Sequence, residues 1–297
     1  MAVAISPIRR QSSKPYLSLA EFKNAPTALD YGNLVVGGNQ AAQDAELTNA
    51  ITRASSWIDQ YCNQIISATV DVEQQRVRMR PDGTVRVHPK YSPIVALTAF
   101  SAGAAPSQMV SAPDCSVAWL EEQQIIFPVS LLPTTWSSQG PLSFGFPATP
   151  RAEMFVNYTY INGYTNTSLS ANANAGATTI TVTDPTGITP GESLKIFDGA
   201  STENIEVAST YSFGSTTVPL ASATLFAHTS GVTVSALPAA IKEACILVTS
   251  AYLKIRGDAS LVMDVTNSAG QQIDGAQKVG TDIAHAQQLL QPFRRIR

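Results

Sequence analysis

The chain has 297 residues, 44% of them apolar and only 14% charged, with a net charge of −3. This apolar content supports a sizeable core, and the near-neutral balance argues against a protein built to coat nucleic acid. Low charge density also leaves a surface that costs little to desolvate, as expected of an assembly subunit.

Cys62, Cys115 and Cys245 stand far apart without CxxC pairing. That fits folding in a reducing compartment, with Cys62 and Cys245 acting as small core residues. No apolar run reaches the length of a membrane span, and the N-terminus has no signal-peptide apolar stretch, so a soluble protein is expected.

Residues 1–17, with Pro7, Pro15, Arg9, Arg10 and Lys14, read as an extended basic arm. Ser18 and Glu21 form a capping-box pattern that predicts a short helix. A Gly/Asn-rich loop through Gly37-Gly38 precedes a helix expected over 44–63. Its apolar face comprises Leu47, Ile51, Ala54, Ile58 and Tyr61, with Asp44 as N-cap. From 66 to 164 the pattern turns to strands. Arg76–Arg80 and Thr84–Val87 read as a hairpin around Pro81-Asp82-Gly83, followed by strands over 93–100, 117–120 and 124–127. Five prolines make 128–150 loop-like.

A strand over 154–160 then runs into a Thr/Ser/Ala/Gly-rich tract, 166–236, read as an inserted β module of five or six short strands forming a small barrel or sandwich. It carries Asp184, Glu192, Asp198, Glu203 and Glu206 against Lys195 alone, a local balance of −4. Beyond it, Pro238 opens a helix ended by Gly257. A last helix, capped by Thr281 or Asp282, stops at Pro292 and leaves the tail Phe293-Arg294-Arg295-Ile296-Arg297. The expected fold is α+β: a helical-bundle core of two N-terminal and two C-terminal helices, a β-hairpin/sheet segment, and the inserted module. The expected domains are the arm 1–17, a core of 18–165 with 237–297, and the insert 166–236.

No catalytic motif is present. His88, His228 and His285 read as isolated surface or packing residues, and Glu121-Glu122 in a strand point to opposite faces. Neither a metal, a cofactor nor an enzymatic activity is expected. Arg76, Arg78 and Arg80 share one strand face at about 7 Å spacing. This is either a solvated edge kept from aggregating by its charges or a contact with an acidic neighbour or with passing DNA. Phe293, Arg294, Arg295 and Arg297 form an apolar-basic tail with the character of a docking peptide.

The succession of elements resembles the head–tail connector (adaptor) proteins of tailed bacteriophages. The resemblance runs through Glu46-Leu47…Ala50-Ile51…Ile58-Asp59…Tyr61-Cys62, then Ser92-Pro93-Ile94-Val95, then Val156-Asn157-Tyr158…Asn162-Gly163-Tyr164. It continues in Leu237-Pro238-Ala239-Ala240-Ile241-Lys242-Glu243-Ala244 and Leu289-Leu290-Gln291-Pro292-Phe293-Arg294-Arg295. It covers about residues 15–165 and 237–297 and leaves the module aside. It implies a virion structural protein, assembled in the host cytoplasm into a homo-oligomeric, dodecameric ring under the portal protein. The ring would contact other neck and tail-completion proteins and pass DNA without sequence-specific binding. It also implies that Phe293, Arg294, Arg295 and Arg297 dock on the portal, and that Arg76, Arg78 and Arg80 contact a neighbouring subunit or the portal in preference to DNA, because strong phosphate pairing would hold a duplex that a conduit has to let slide. The competing readings are a virion β-module binding protein, recognising a host surface or carbohydrate through Phe197, Tyr211, Phe213 or Phe226, and an unrecognised enzyme.

Overall fold

The computed structural model describes residues 14–128, 153–255 and 275–295, apart from 28, 30 and 33. Most of the proline-rich stretch 128–150, the basic pair Arg9-Arg10, Gly257 and Arg297 lie outside them. The chain divides into two compact units, Met1–Ser67 with Tyr164–Arg297, and Ala68–Gly163.

The expectation of a helical-bundle core is overturned. Among the described residues, strand outnumbers helix, 32% to 27%, and the strands form four sheets. Of the four described α-helices, α1 (Leu19–Asn24) is a six-residue turn and only α2 (Gln40–Cys62), α3 (Ala239–Ile255) and α4 (Gly275–Leu290) are long. The physical reason is that each β region buries its own apolar face. The strands of 68–163 and those of 166–236 each enclose a separate cluster of buried side chains, and neither depends on a helical bundle for its core.

In the unit Ala68–Gly163, β1 (Thr69–Arg78), β3 (Ile94–Gly103), β4 (Val110–Ser111) and β7 (Glu153–Asn162) form an antiparallel sheet of order β1-β7-β3-β4. A smaller sheet of order β2-β6-β5 comprises β2 (Thr84–Val87), β6 (Gln124–Pro128) and β5 (Trp119–Glu121). Val85, Val87, Ile125 and Phe127 of the small sheet pack with Phe100, Met154, Val156 and Tyr158 of the large one. The Phe100 and Phe127 rings stack 4.1 Å apart. The expected hairpin of 76–80 with 84–87 is corrected. Its turn exists, with the Arg80 amide donating to the Thr84 carbonyl at 2.8 Å, but β1 pairs with β7 and β2 with β6. The strands diverge because β1 gains a ten-residue partner in β7, where a four-residue hairpin offers far fewer ladder bonds.

In the other unit, α2 begins four residues before its expected start. Asn39, not Asp44, caps it by accepting from the Ala42 amide, and Asp44 instead pairs with Lys23 on α1. The Ser18/Glu21 capping box is present on α1. Leu47, Ile51, Ile58, Cys62, Ile241, Cys245 and Val248 share one core with Tyr16, Phe22, Ala286 and Leu290. Helix α4 starts at Gly275, not at a Thr281 or Asp282 cap, and Asp282 is used to pair Lys254 of α3 at 2.7 Å.

The module of this unit comprises β8 (Asn166–Ser168), β9 (Thr179–Thr181), β10 (Ser193–Phe197), β11 (Glu203–Glu206), β12 (Thr217–Pro219) and β13 (Thr233–Ser235). They form one sheet of order β11-β10-β13-β8 and a β12-β9 pair, linked by bridges Leu169–Val182 and Val207–Leu220. Ile180, Ile188, Leu194, Ile196, Val218 and Val234 fill its interior. Its first and last strands pair with one another, Asn166 opposite Ser235, so the two ends of 166–236 leave the module side by side.

Candidate interaction surfaces

The polar clusters at depth are built to hold the fold. Asp59 at the end of α2 accepts from the Tyr16 hydroxyl and the Ile66 amide, fixing the N-terminal segment to the helix. Burial, followed by the charge of Asp59, pushes the Tyr16 phenol well above its ordinary value. Glu73 of β1 accepts from Tyr160 Oη at 2.5 Å, Tyr158 Oη at 3.0 Å, the Lys90 amide at 2.9 Å and Gln75 Nε2 at 3.4 Å. Asn162 donates to Asp71 at 2.9 Å across the β1–β7 register.

His228 departs from the isolated residue expected of it. Its side chain is fully buried, with Asp198 Oδ2 3.0 Å from Nδ1 and Glu203 Oε1 2.7 Å from Nε2. Each ring nitrogen of His228 thus faces a carboxylate oxygen within hydrogen-bond distance. Glu203 also accepts from the amides of Leu225 and Phe226. Burial alone would raise the Glu203 carboxyl, but the hydrogen bonds from His228 and these two amides outweigh it and hold it below its ordinary 4.5. The cluster ties the 224–228 loop to β11 and offers no open face for a substrate. Nothing near His228 in sequence signals it, because its partners lie 25 and 30 positions upstream. Among the described residues, no group of three or more His, Cys, Asp or Glu could hold a metal ion.

The C-terminal tail lies against its own chain. The Arg295 amide donates to the Cys62 carbonyl at 2.9 Å, Asn63 Nδ2 to the Arg295 carbonyl at 3.2 Å, and Gln64 Nε2 to the Phe293 carbonyl at 3.0 Å. Asn63 can serve because the helix ends on it in the left-handed region, φ 55°. The Phe293 ring meets Tyr164 edge-on at 6.4 Å, and the Arg294 guanidinium sits 5.4 Å over Tyr61, which itself stacks on Trp57. Arg294 remains exposed; Arg297 is outside the described residues.

The arginines of β1 are exposed on one sheet face, as alternation requires, with Val70, Val72 and Gln74 continuing the same stripe. Arg76 and Arg78 both pair with Glu153, directly opposite Arg78 on β7, and Arg76 also lies 5.9 Å from the Phe155 ring. Arg80 is exposed just beyond the strand. Glu153 thus relieves the repulsion expected within the stripe and leaves it net basic.

Of the four aromatic side chains weighed as a sugar platform, two are spoken for. Phe197 lies under the Lys242 ammonium, 3.5 Å from ring centre to nitrogen, and Lys242 pairs with Glu21 in a nearly dry environment. Tyr211 is buried and donates to the Ser215 carbonyl. Phe213 and Phe226 are exposed, and Leu225 beside Phe226 is 75% exposed. Among the described residues, no helix is long and apolar enough to cross a membrane. The chain matches no protein-family model and no curated protein.

Proposed function

We propose that the protein is a structural subunit of a tailed-phage virion, a head–tail connector that assembles as a dodecameric ring beneath the portal protein. DNA passes through the ring without sequence-specific contact, and other neck or tail-completion proteins attach to it. The reading assigns no catalytic step to the chain.

One observation carries it. The sheet β1-β7-β3-β4 turns one face to its own core and leaves a stripe of Val70, Val72, Gln74, Arg76 and Arg78 exposed on the other. Such a graded apolar-to-basic strand face suits packing against a neighbouring subunit or the portal. The low charge content and the resemblance in element order support the same reading. Arg76, Arg78 and Arg80 supply this contact, and Phe293, Arg294, Arg295 and Arg297 the portal dock. Because the tail is seated against α2 and Tyr164, the exposed side of Arg294 is its presented group. Mass measurement of the protein alone and with its portal tests the assignment: monomers alone and rings on the portal are expected. Absence of any portal complex refutes it. Unchanged portal binding after deletion of 292–297 refutes the docking role of the tail.

A second reading, surface or carbohydrate recognition by the module, is favoured by exposed Leu225 and Phe226 on a loop fixed from beneath by Glu203. A glycan array and host-cell binding by the intact chain, compared with a Leu225→Ala/Phe226→Ala variant, decide it. No binding by the intact chain, or binding unchanged in the variant, dismisses it.

A further inference from the structure

We propose that residues 14–24 form a latch that fixes the β module on the helices, and that opening the latch lets the module swing about the paired strand ends that attach it. The module and the helices bury separate apolar clusters, Leu194, Ile196 and Val234 in the first and Leu47, Ile51 and Ile241 in the second, with no described residue common to both. Bodies that share no large apolar interface move relative to one another unless something else holds them. The chain enters and leaves the module on one two-stranded ribbon, where Asn166 opposes Ser235 and the Ala236 amide donates to the Thr165 carbonyl at 2.9 Å. Two connections side by side define a hinge axis, and a few residues at element ends absorb such a motion.

The segment 14–24 touches both sides of this junction in alternation. Lys14 pairs with Asp184 of the module, and Asn166 Nδ2 donates to the Pro15 carbonyl at 3.0 Å. The next residue belongs to the helices: the Tyr16 amide donates to Ser55 Oγ at 3.0 Å and its hydroxyl to Asp59, with the ring fully buried. Helix α1 repeats the pattern. Phe22 is buried in the helical core, and Lys23 reaches Asp44 of α2 at 2.5 Å. Glu21 holds the Lys242 ammonium of α3 against the Phe197 ring of β10. Asn24 lies beside the one-turn 3-10 helix Gly199–Ser201, its Nδ2 3.8 Å from where a Cβ on Gly199 would sit.

The two sets of contacts differ in kind. On the helix side, the Tyr16 and Phe22 rings are seated in the core. On the module side the Lys14 and Asp184 side chains keep 33% and 34% of their exposure. An ion pair that open contributes little net stability and is screened by salt. The latch therefore opens from the module side, as a local event that leaves Tyr16 and Phe22 in place. The proposal stands on the contacts of residues 14–24 and does not depend on the connector reading.

The test measures the placement of the module in the full chain by electron-spin distances. A Cys115→Ser background receives spin labels at Thr52→Cys on α2 and Asn204→Cys on β11, both exposed positions. The latched protein should give one narrow distance. Lys14→Glu, which sets two carboxylates against each other, should broaden it, and Lys14→Glu/Asp184→Lys should restore it. Lys14→Glu/Asn166→Ala/Phe197→Leu, which strips the module-side contacts, should add a second distance. A label pair within the module, at the exposed Thr179 and Asn204, should keep its distance in every variant, which separates swinging from unfolding. If the triple variant loses that inner distance, Lys14→Glu and its charge swap carry the test. A 52–204 distance as narrow in the folded variants as in the parent overturns the proposal. So does a charge swap that fails to restore it.

Discussion

Lys242 provides the sharpest test of how the unit containing the helices and the module is held together. Its ammonium pairs with Glu21 of α1 and lies over Phe197 of β10, and the Lys242 and Glu21 side chains keep only 9% and 10% of their exposure. Burial, the largest influence, draws the lysine below its ordinary 10.5 even with Glu21 pulling it up. A pair this dry adds little net stability when intact, yet removing one member strands the other charge, at about 3–5 kcal/mol. Lys242→Met keeps the aliphatic stem while leaving Glu21 buried and losing the cation–π contact, itself worth up to about 2 kcal/mol. The two losses share one ammonium and do not add. For a unit of this size each kcal/mol moves Tm by about 2–4 °C, so the single variant should melt roughly 6–20 °C lower. Lys242→Met/Glu21→Gln should recover most of the loss, because no ion is then left unpaired. Calorimetry of wild type, both single variants and the double closes the cycle. A Lys242→Met variant melting within about 2 °C of wild type, or a double variant no better than the single, would refute the reasoning.

Other outcomes are equally measurable. The Cys62 and Cys245 thiols are pushed up to about 12 by burial, so a thiol reagent at neutral pH should modify Cys115 alone in the native protein and all three only after denaturation. Burial raises the Asp184 carboxyl, but hydrogen bonds from Lys14 and Thr186 outweigh it and hold the group below 3.8; Glu203 is likewise held below 4.5. The unfolded chain binds these protons first, so the stability they contribute is present above their ordinary values and lost as pH falls through the lower folded ones. Glu192 works in the opposite sense, since burial raises its carboxyl despite bonds from the Thr189 amide and Thr165. Denaturant midpoints from pH 6 down to about 2.5 should therefore fall, and Glu203→Gln should flatten the slope; a slope unaltered by that change contradicts the assignment. Phe293→Ala removes the Tyr164 contact and should cost about 1–3 kcal/mol, less than the loss for a fully buried ring because Phe293 is only partly covered. A midpoint unchanged by it means that the tail contributes nothing to the fold.

Local pattern carried part of this structure and long-range pairing the rest. The three- and four-residue spacing of Leu47, Ile51, Ala54 and Ile58 identified α2, because that spacing is itself the buried face. The cap was misplaced at Asp44 because Asn39 is followed by four residues without a strong apolar signal. The strands expected over 117–120 and 124–127 were legible from their short apolar runs, and the structure pairs them as β5 and β6 across two residues. The alternation of Arg76-Val77-Arg78 correctly put the arginines on one face, yet it could not name a partner strand 75 positions away, where Glu153 tempers their charge. His228 follows the same rule, since a buried imidazole between two carboxylates is a property of the module's closure and leaves no local trace. The bundle expectation failed for the complementary reason. Helical stripes announce a buried face more loudly than short Thr-rich strands do, so helices that share one core with Tyr16 and Phe22 were credited with organising the whole chain. Two further β cores, each closed by strands distant in sequence, organise most of it.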